Sequence, residues 1–89
     1  MRKFGVSDKL KGILNKLSKK DMALYDQVIK KIGEIVHSYD IEHYKNLRYD
    51  MKNSKRAHIG HFVLVFQFDK NNNEISFDDF DHHDNIYKR

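Results

Sequence analysis

The chain has 89 residues, 34% of them charged, with a formal net charge of +4 and no cysteine. This length predicts a single domain over residues 1–89. Six Phe and five Tyr exclude a disordered tail, and no apolar run approaches the ~20 residues of a membrane span. Without cysteine there is no disulfide framework and no thiolate nucleophile or metal ligand. The start, Met1-Arg2-Lys3-Phe4-Gly5, lacks the apolar segment of a signal peptide. Together with the missing cysteines, it predicts a cytoplasmic protein.

The charge is uneven. Residues 1–56 hold 14 Lys and Arg against 7 Asp and Glu, whereas residues 57–89 hold 3 against 6. Contact with a polyanion is therefore expected from the first part of the chain. A solvated lysine face on a helix is the plainer alternative.

Residues 2–6 predict a short strand, with Phe4 and Val6 on one face. Leu10, Ile13, Leu14 and Leu17 then repeat as an amphipathic helix does, with Ser7 or Asp8 as its cap. Lys9, Lys11 and Lys16 fall on the outer side. Ser18-Lys19-Lys20-Asp21 reads as a variant capping box that starts a second helix. Met22, Tyr25, Ile29, Ile32, Val36 and Tyr39 form its stripe, widened by Leu24, Val28 and Ile35. So short a connection predicts an antiparallel helical hairpin.

Residues 40–55 are polar, with isolated apolar residues, and Lys52-Asn53-Ser54-Lys55 reads as a loop or turn. Arg56-Ala57-His58-Ile59 alternates as a strand, and Gly60-His61 turns the chain. Phe62-Val63-Leu64-Val65-Phe66 is a continuous apolar run, expected of a central strand covered on both faces. Asn71-Asn72-Asn73 marks a hairpin turn, and Glu74-Ile75-Ser76-Phe77 alternates again. The alternation then fails, because Phe80 falls on the face opposite Ile75 and Phe77. A bulge or a strand end near Asp78-Asp79 repairs the register. The predicted fold is α+β, in the order β-α-α-β-β-β. Its helical hairpin covers one face of a small antiparallel sheet and leaves the other partly polar.

No metalloprotease, P-loop or dinucleotide motif is present. Four of the six histidines, His58, His61, His82 and His83, lie in the β third. Three readings are open for them. They are surface or hydrogen-bonded residues, or metal ligands helped by Asp84, or proton carriers in nucleic-acid chemistry. Recognised zinc spacing is absent, and adjacent residues on an extended chain point apart. Imidazole moves a proton near neutral pH. Among Arg48, Lys52 and Arg56 it is equipped to act on a phosphodiester whose nucleophile is the RNA's own 2′-OH.

Several pieces together resemble the RelE/ParE superfamily of toxins from type II toxin–antitoxin systems. They are Lys45-Asn46-Leu47-Arg48 after the helical hairpin, the strand Arg56–Ile59, the strand Phe62–Phe68, and the ending Phe80-Asp81-His82-His83-Asp84-Asn85-Ile86-Tyr87-Lys88-Arg89. The resemblance implies a small toxin that cleaves mRNA in the ribosomal A site without a metal or other cofactor. It implies catalytic groups at His82, His83, His58, His61, Arg56 and Tyr87. It implies RNA contacts at Arg48, Lys45, Lys52, Lys55 and Lys88. The expected partners are a cognate RelB-like antitoxin, the ribosome and mRNA, with no membrane. Acidic Asp81 and Asp84 stand where the Lys/Arg-rich members carry basic residues. Two alternatives share this fold: a ParE-like toxin that binds DNA gyrase without catalysis, and an inactive binding module.

Overall fold

The structure is a computed structural model and describes residues 2–44 and 54–87. Strand β1 spans Lys3–Val6, helix α1 Asp8–Lys20 and helix α2 Met22–Val36. A single 3-10 turn occupies Ile41–His43. Strands β2 (Lys55–Ile59), β3 (Phe62–Asp69) and β4 (Glu74–His82) follow, and a short helix α3, His83–Tyr87, ends the described chain.

The four strands form one sheet in the order β1-β4-β3-β2. Strands β2, β3 and β4 are antiparallel neighbours. Strand β1 instead lies parallel to β4, so the sheet is mixed rather than wholly antiparallel. The cause is the helical hairpin. It carries the chain away from β1 and returns it to the far side of the sheet, and two reversals follow before β4 arrives beside β1.

Both helices begin where short polar side chains cap them. Ser7 Oγ accepts from the Leu10 amide, 3.1 Å, and Asp21 Oδ1 accepts from the Leu24 amide, 3.1 Å. The capping box expected from Ser18 does not form. Ser18 is still inside α1, where its hydroxyl donates to the Asn15 carbonyl, 2.7 Å, so Asp21 caps alone. The apolar stripe of α2 also stops earlier than its periodicity suggests. The helix ends at Val36 and Tyr39 is fully exposed.

The main core lies between the hairpin and one sheet face. Leu10, Val28, Ile32, Ile35 and Val36 meet Ala57, Ile59, Leu64, Phe66, Ile75, Phe77 and Phe80 there. Phe66 and Phe77 are wholly buried, with ring centroids 5.8 Å apart. Burying an aromatic of this size stabilises the fold by ~1.5–3 kcal/mol each. On the opposite face Val63 and Val65 form a second small core with Ile86 of α3, and Tyr87 packs against it. Strand β3 is therefore apolar on both sides, which is why its sequence runs without alternation.

The break in alternation is a bulge. Val65 pairs with Asp79 and Phe66 with Phe77, leaving Asp78 as the extra residue. This keeps Phe77 and Phe80 both in the main core. The Asp78 carbonyl accepts from the Ser7 hydroxyl, 2.7 Å, so the bulge also anchors the start of α1. Lys9 adds an ion pair to Asp79, 3.0 Å.

Lys55, read from the sequence as part of a loop, opens β2 instead and is buried. Its side chain turns into the helical side with Ala57 and Ile59. There its Nζ donates to the Tyr44 carbonyl, 3.3 Å, and stands 3.8 Å from Glu42.

Candidate active site

Because Lys55, Ala57 and Ile59 point to the main core, strand periodicity sends Arg56 and His58 to the open face. The burial pattern of β2 alternates accordingly. Across β3, Val63 and Val65 seat Ile86, and this one buried contact holds α3 over the open face. Helix α3 brings His83 and Tyr87 to the exposed side chains of β2.

The result is a contiguous polar group. An Arg56 guanidinium N–H donates to the Tyr87 hydroxyl. The Arg56 carbon centre also lies 5.6 Å from the Tyr87 ring centroid, within cation–π range. His83 contacts the Tyr87 ring, centroids 4.5 Å apart. The rings of His58 and His83 stack 5.9 Å apart. Partial burial is the largest influence on His58. It holds the imidazole below its usual pKa, and the positive charge of Arg56 and the neighbouring His83 lower it further. These influences all favour the neutral imidazole of His58.

His82 and His83 separate, as adjacent residues at a strand end do. The pairing of Phe62 with His82 puts His82 on the Phe62 side, where its ring meets Phe62 at 5.6 Å and His61 at 6.2 Å. The four histidines therefore form two pairs: His58 with His83, and His61 with His82. Only the first pair joins Arg56 and Tyr87. The His83 amide donates to the His61 carbonyl, 2.8 Å, tying the pairs together through backbone.

The acidic residues of this ending hold its shape. Asp81 Oδ1 accepts from the His82 amide, 2.7 Å, and from Asn85 Nδ2, 3.1 Å. The Asp84 amide donates to His82 Nδ1, 3.2 Å, and Asp84 Oδ1 lies 3.5 Å from His83 Nδ1. Among the described residues no three His, Asp or Glu side chains converge to hold a metal ion. Arg48, Lys45, Lys52 and Lys88 lie outside the described residues. Helix α3 was missed by sequence reasoning. Its five residues are too few for a periodic stripe, and the isolated apolar Ile86 was the available signal.

A helical hairpin on one face of a four-stranded sheet, with an Arg–Tyr–His group on the other under a C-terminal turn, places the chain in a class of small α+β domains. Solved structures with this fold include the toxin–antitoxin complex RelBE2 from Mycobacterium tuberculosis. That match has a TM-score of 0.74 at 18% identity and covers 91% of this chain and 96% of that one. The isolated RelE toxin of Escherichia coli matches with a TM-score of 0.68 at 19% identity, covering 100% of this chain and 98% of that one. A scan against protein-family models finds no match. By sequence, the chain is 47% identical over 90 residues to "Putative toxin RelE4" of Methanocaldococcus jannaschii, covering 100% of this chain and 94% of that protein. It is also 37% identical over 83 residues to an uncharacterized protein of Methanosarcina mazei, covering 92% of this chain and 94% of that protein. The chain belongs to the RelE-type toxin family. Among the described residues no helix is long and apolar enough to cross a membrane.

Proposed function

We propose that this chain is the toxin of a type II toxin–antitoxin module and acts in the cytoplasm as a ribosome-dependent, metal-independent mRNA endoribonuclease. One observation carries this reading: Arg56, His58, His83 and Tyr87, from two separate stretches of chain, share one partly exposed face.

In the proposed reaction His58 takes the proton from a 2′-OH. The freed oxygen attacks the adjacent phosphorus, and the bond to the 5′-oxygen breaks. His83 supplies the proton to that leaving oxygen. The products are a 2′,3′-cyclic phosphate and a 5′-hydroxyl. Arg56 holds the phosphate, because its planar fork matches two phosphate oxygens and offsets the charge that builds in the transition state. Tyr87 keeps the fork in place and offers its ring to a base. Arg48, Lys45, Lys52 and Lys88 are proposed as further RNA contacts on sequence grounds alone. The paired His61 and His82 are proposed to brace the end of the sheet, and Lys55 to brace β2 from within.

The proposed partner is a RelB-like antitoxin, supported by the fold shared with the toxin–antitoxin complex RelBE2. The excess of Lys and Arg in residues 1–56 suits an acidic segment. Binding only the folded toxin, it would also stabilise this small domain.

In vitro translation followed by primer extension on the mRNA tests the reading. Cleavage at defined codons, lost in the His58→Ala/His83→Ala double variant, is expected. Intact mRNA with blocked gyrase supercoiling would instead identify a ParE-like toxin.

A further inference from the structure

Strand β2 is the edge of the sheet, and a cleft of about 270 Å³ runs between this edge and α2, lined by Gln27, Lys30, Lys31, Glu34, His58, Ile59 and Gly60. His58 belongs both to this cleft and to the Arg56–Tyr87 face. A strand held at Arg56 therefore meets the cleft as it leaves the face past His58.

We propose that this cleft is a second phosphate subsite, in which Lys30 binds the phosphodiester flanking the one held by Arg56. The proposal rests on the reading of the protein as a ribonuclease. Two lysines face one carboxylate here, so the cleft carries a net positive charge. Lys31 is hydrogen-bonded to Glu34, 2.8 Å away, whereas Lys30, exposed on the same helix, acts on Glu34 through its charge alone and is the acting cation. Gly60, at a φ of +61° in open space, turns the chain at the rim. Substrate RNA enters over the β2–β3 turn and continues across the open face.

The test is equilibrium binding of the full-length toxin to ribosomes programmed with an mRNA whose A-site codon carries 2′-O-methyl groups, which the toxin cannot cleave. Affinity is measured against salt for the wild type, Lys30→Gln, Glu34→Gln and Arg56→Ala. Lys30→Gln is expected to weaken binding several-fold and to flatten the salt slope by about 0.7, the share of one single-strand phosphate. Glu34→Gln removes the opposing anion and is expected to tighten binding. A single methylphosphonate at the flanking position costs the wild type affinity but costs Lys30→Gln none. Lys30 and Glu34 are exposed and Arg56 is half-buried, and circular dichroism checks that each variant folds. If Lys30→Gln binds as the wild type does while Arg56→Ala is weakened, the subsite is wrong and the ribonuclease reading stands. If the wild type does not bind, or no substitution matters, both are overturned.

Discussion

Arg56 donates a hydrogen bond to the hydroxyl of Tyr87, joining residues 31 positions apart across the open face of the sheet. It needs β2 in register to aim the arginine outward, and α3 seated on β3 to deliver the tyrosine. The pair thus reports on both the fold and the proposed chemistry. Arg56→Lys keeps the charge and loses the planar fork, so mRNA cleavage is expected to fall about 100-fold. Tyr87→Phe keeps the ring and frees the fork, and a smaller loss is expected. Single-turnover cleavage of ribosome-bound mRNA measures both.

His58 titrates below its usual value because of partial burial, then Arg56, then His83. In the proposed reaction the neutral form is the base, so the acid limb of the activity profile is expected to lie below that of an unperturbed imidazole. Stability has the same sign. The contribution of His58 is complete above the unfolded-state pKa of about 6.5 and declines as pH falls toward the lower folded-state value. Arg56→Gln removes the second cause, and the NMR titration midpoint of His58 is expected to move up toward 6.5. A midpoint at or above 6.5 in the wild type would remove His58 as the base.

Ile86 is the buried anchor of α3. Ile86→Ala is expected to cost about 2–5 kcal/mol where the contact is fully formed. Much of that loss should appear as local release of α3, because Ile86 belongs to the small second core and not to the main one. Hydrogen exchange should speed up at residues 84–87 while β3 and β4 stay protected, and cleavage should fall with it. Phe66→Ala, in the main core, is instead expected to lower global stability by about 3–5 kcal/mol, read by denaturant unfolding.

Lys55 tests the corrected placement of a basic residue. Its ammonium is spent on the Tyr44 carbonyl and on Glu42. Lys55→Ala leaves a part-buried carbonyl without this donor and is expected to cost about 1–3 kcal/mol of stability. An unchanged melting temperature with weakened RNA binding would return Lys55 to the RNA contacts.

Particular residues show what was legible in the sequence. Phe77 and Phe80 exposed the fault in alternation, and the bulge at Asp78 follows because both rings need the same core. Arg56 and His58 were legible as one strand face, since a period of two is local. Parallel pairing of β1 with β4 was not, because residues 3–6 and 74–77 meet only through the fold. The separation of His82 from His83 was legible from their adjacency, but their pairing with His61 of the β2–β3 turn and His58 of β2 was not. Lys55 misled because a charged residue beside a loop looks solvated until the Tyr44 carbonyl is placed beneath it.

The central claim is that the RNA supplies its own nucleophile to the Arg56–His58–His83–Tyr87 face. It is tested most directly with an mRNA bearing a single 2′-deoxy nucleotide on the 5′ side of the mapped cleavage site, presented on the ribosome. No cleavage at that bond is predicted, while the all-ribose mRNA is cut there with a 2′,3′-cyclic phosphate end. Equal cleavage of the two mRNAs would contradict the account.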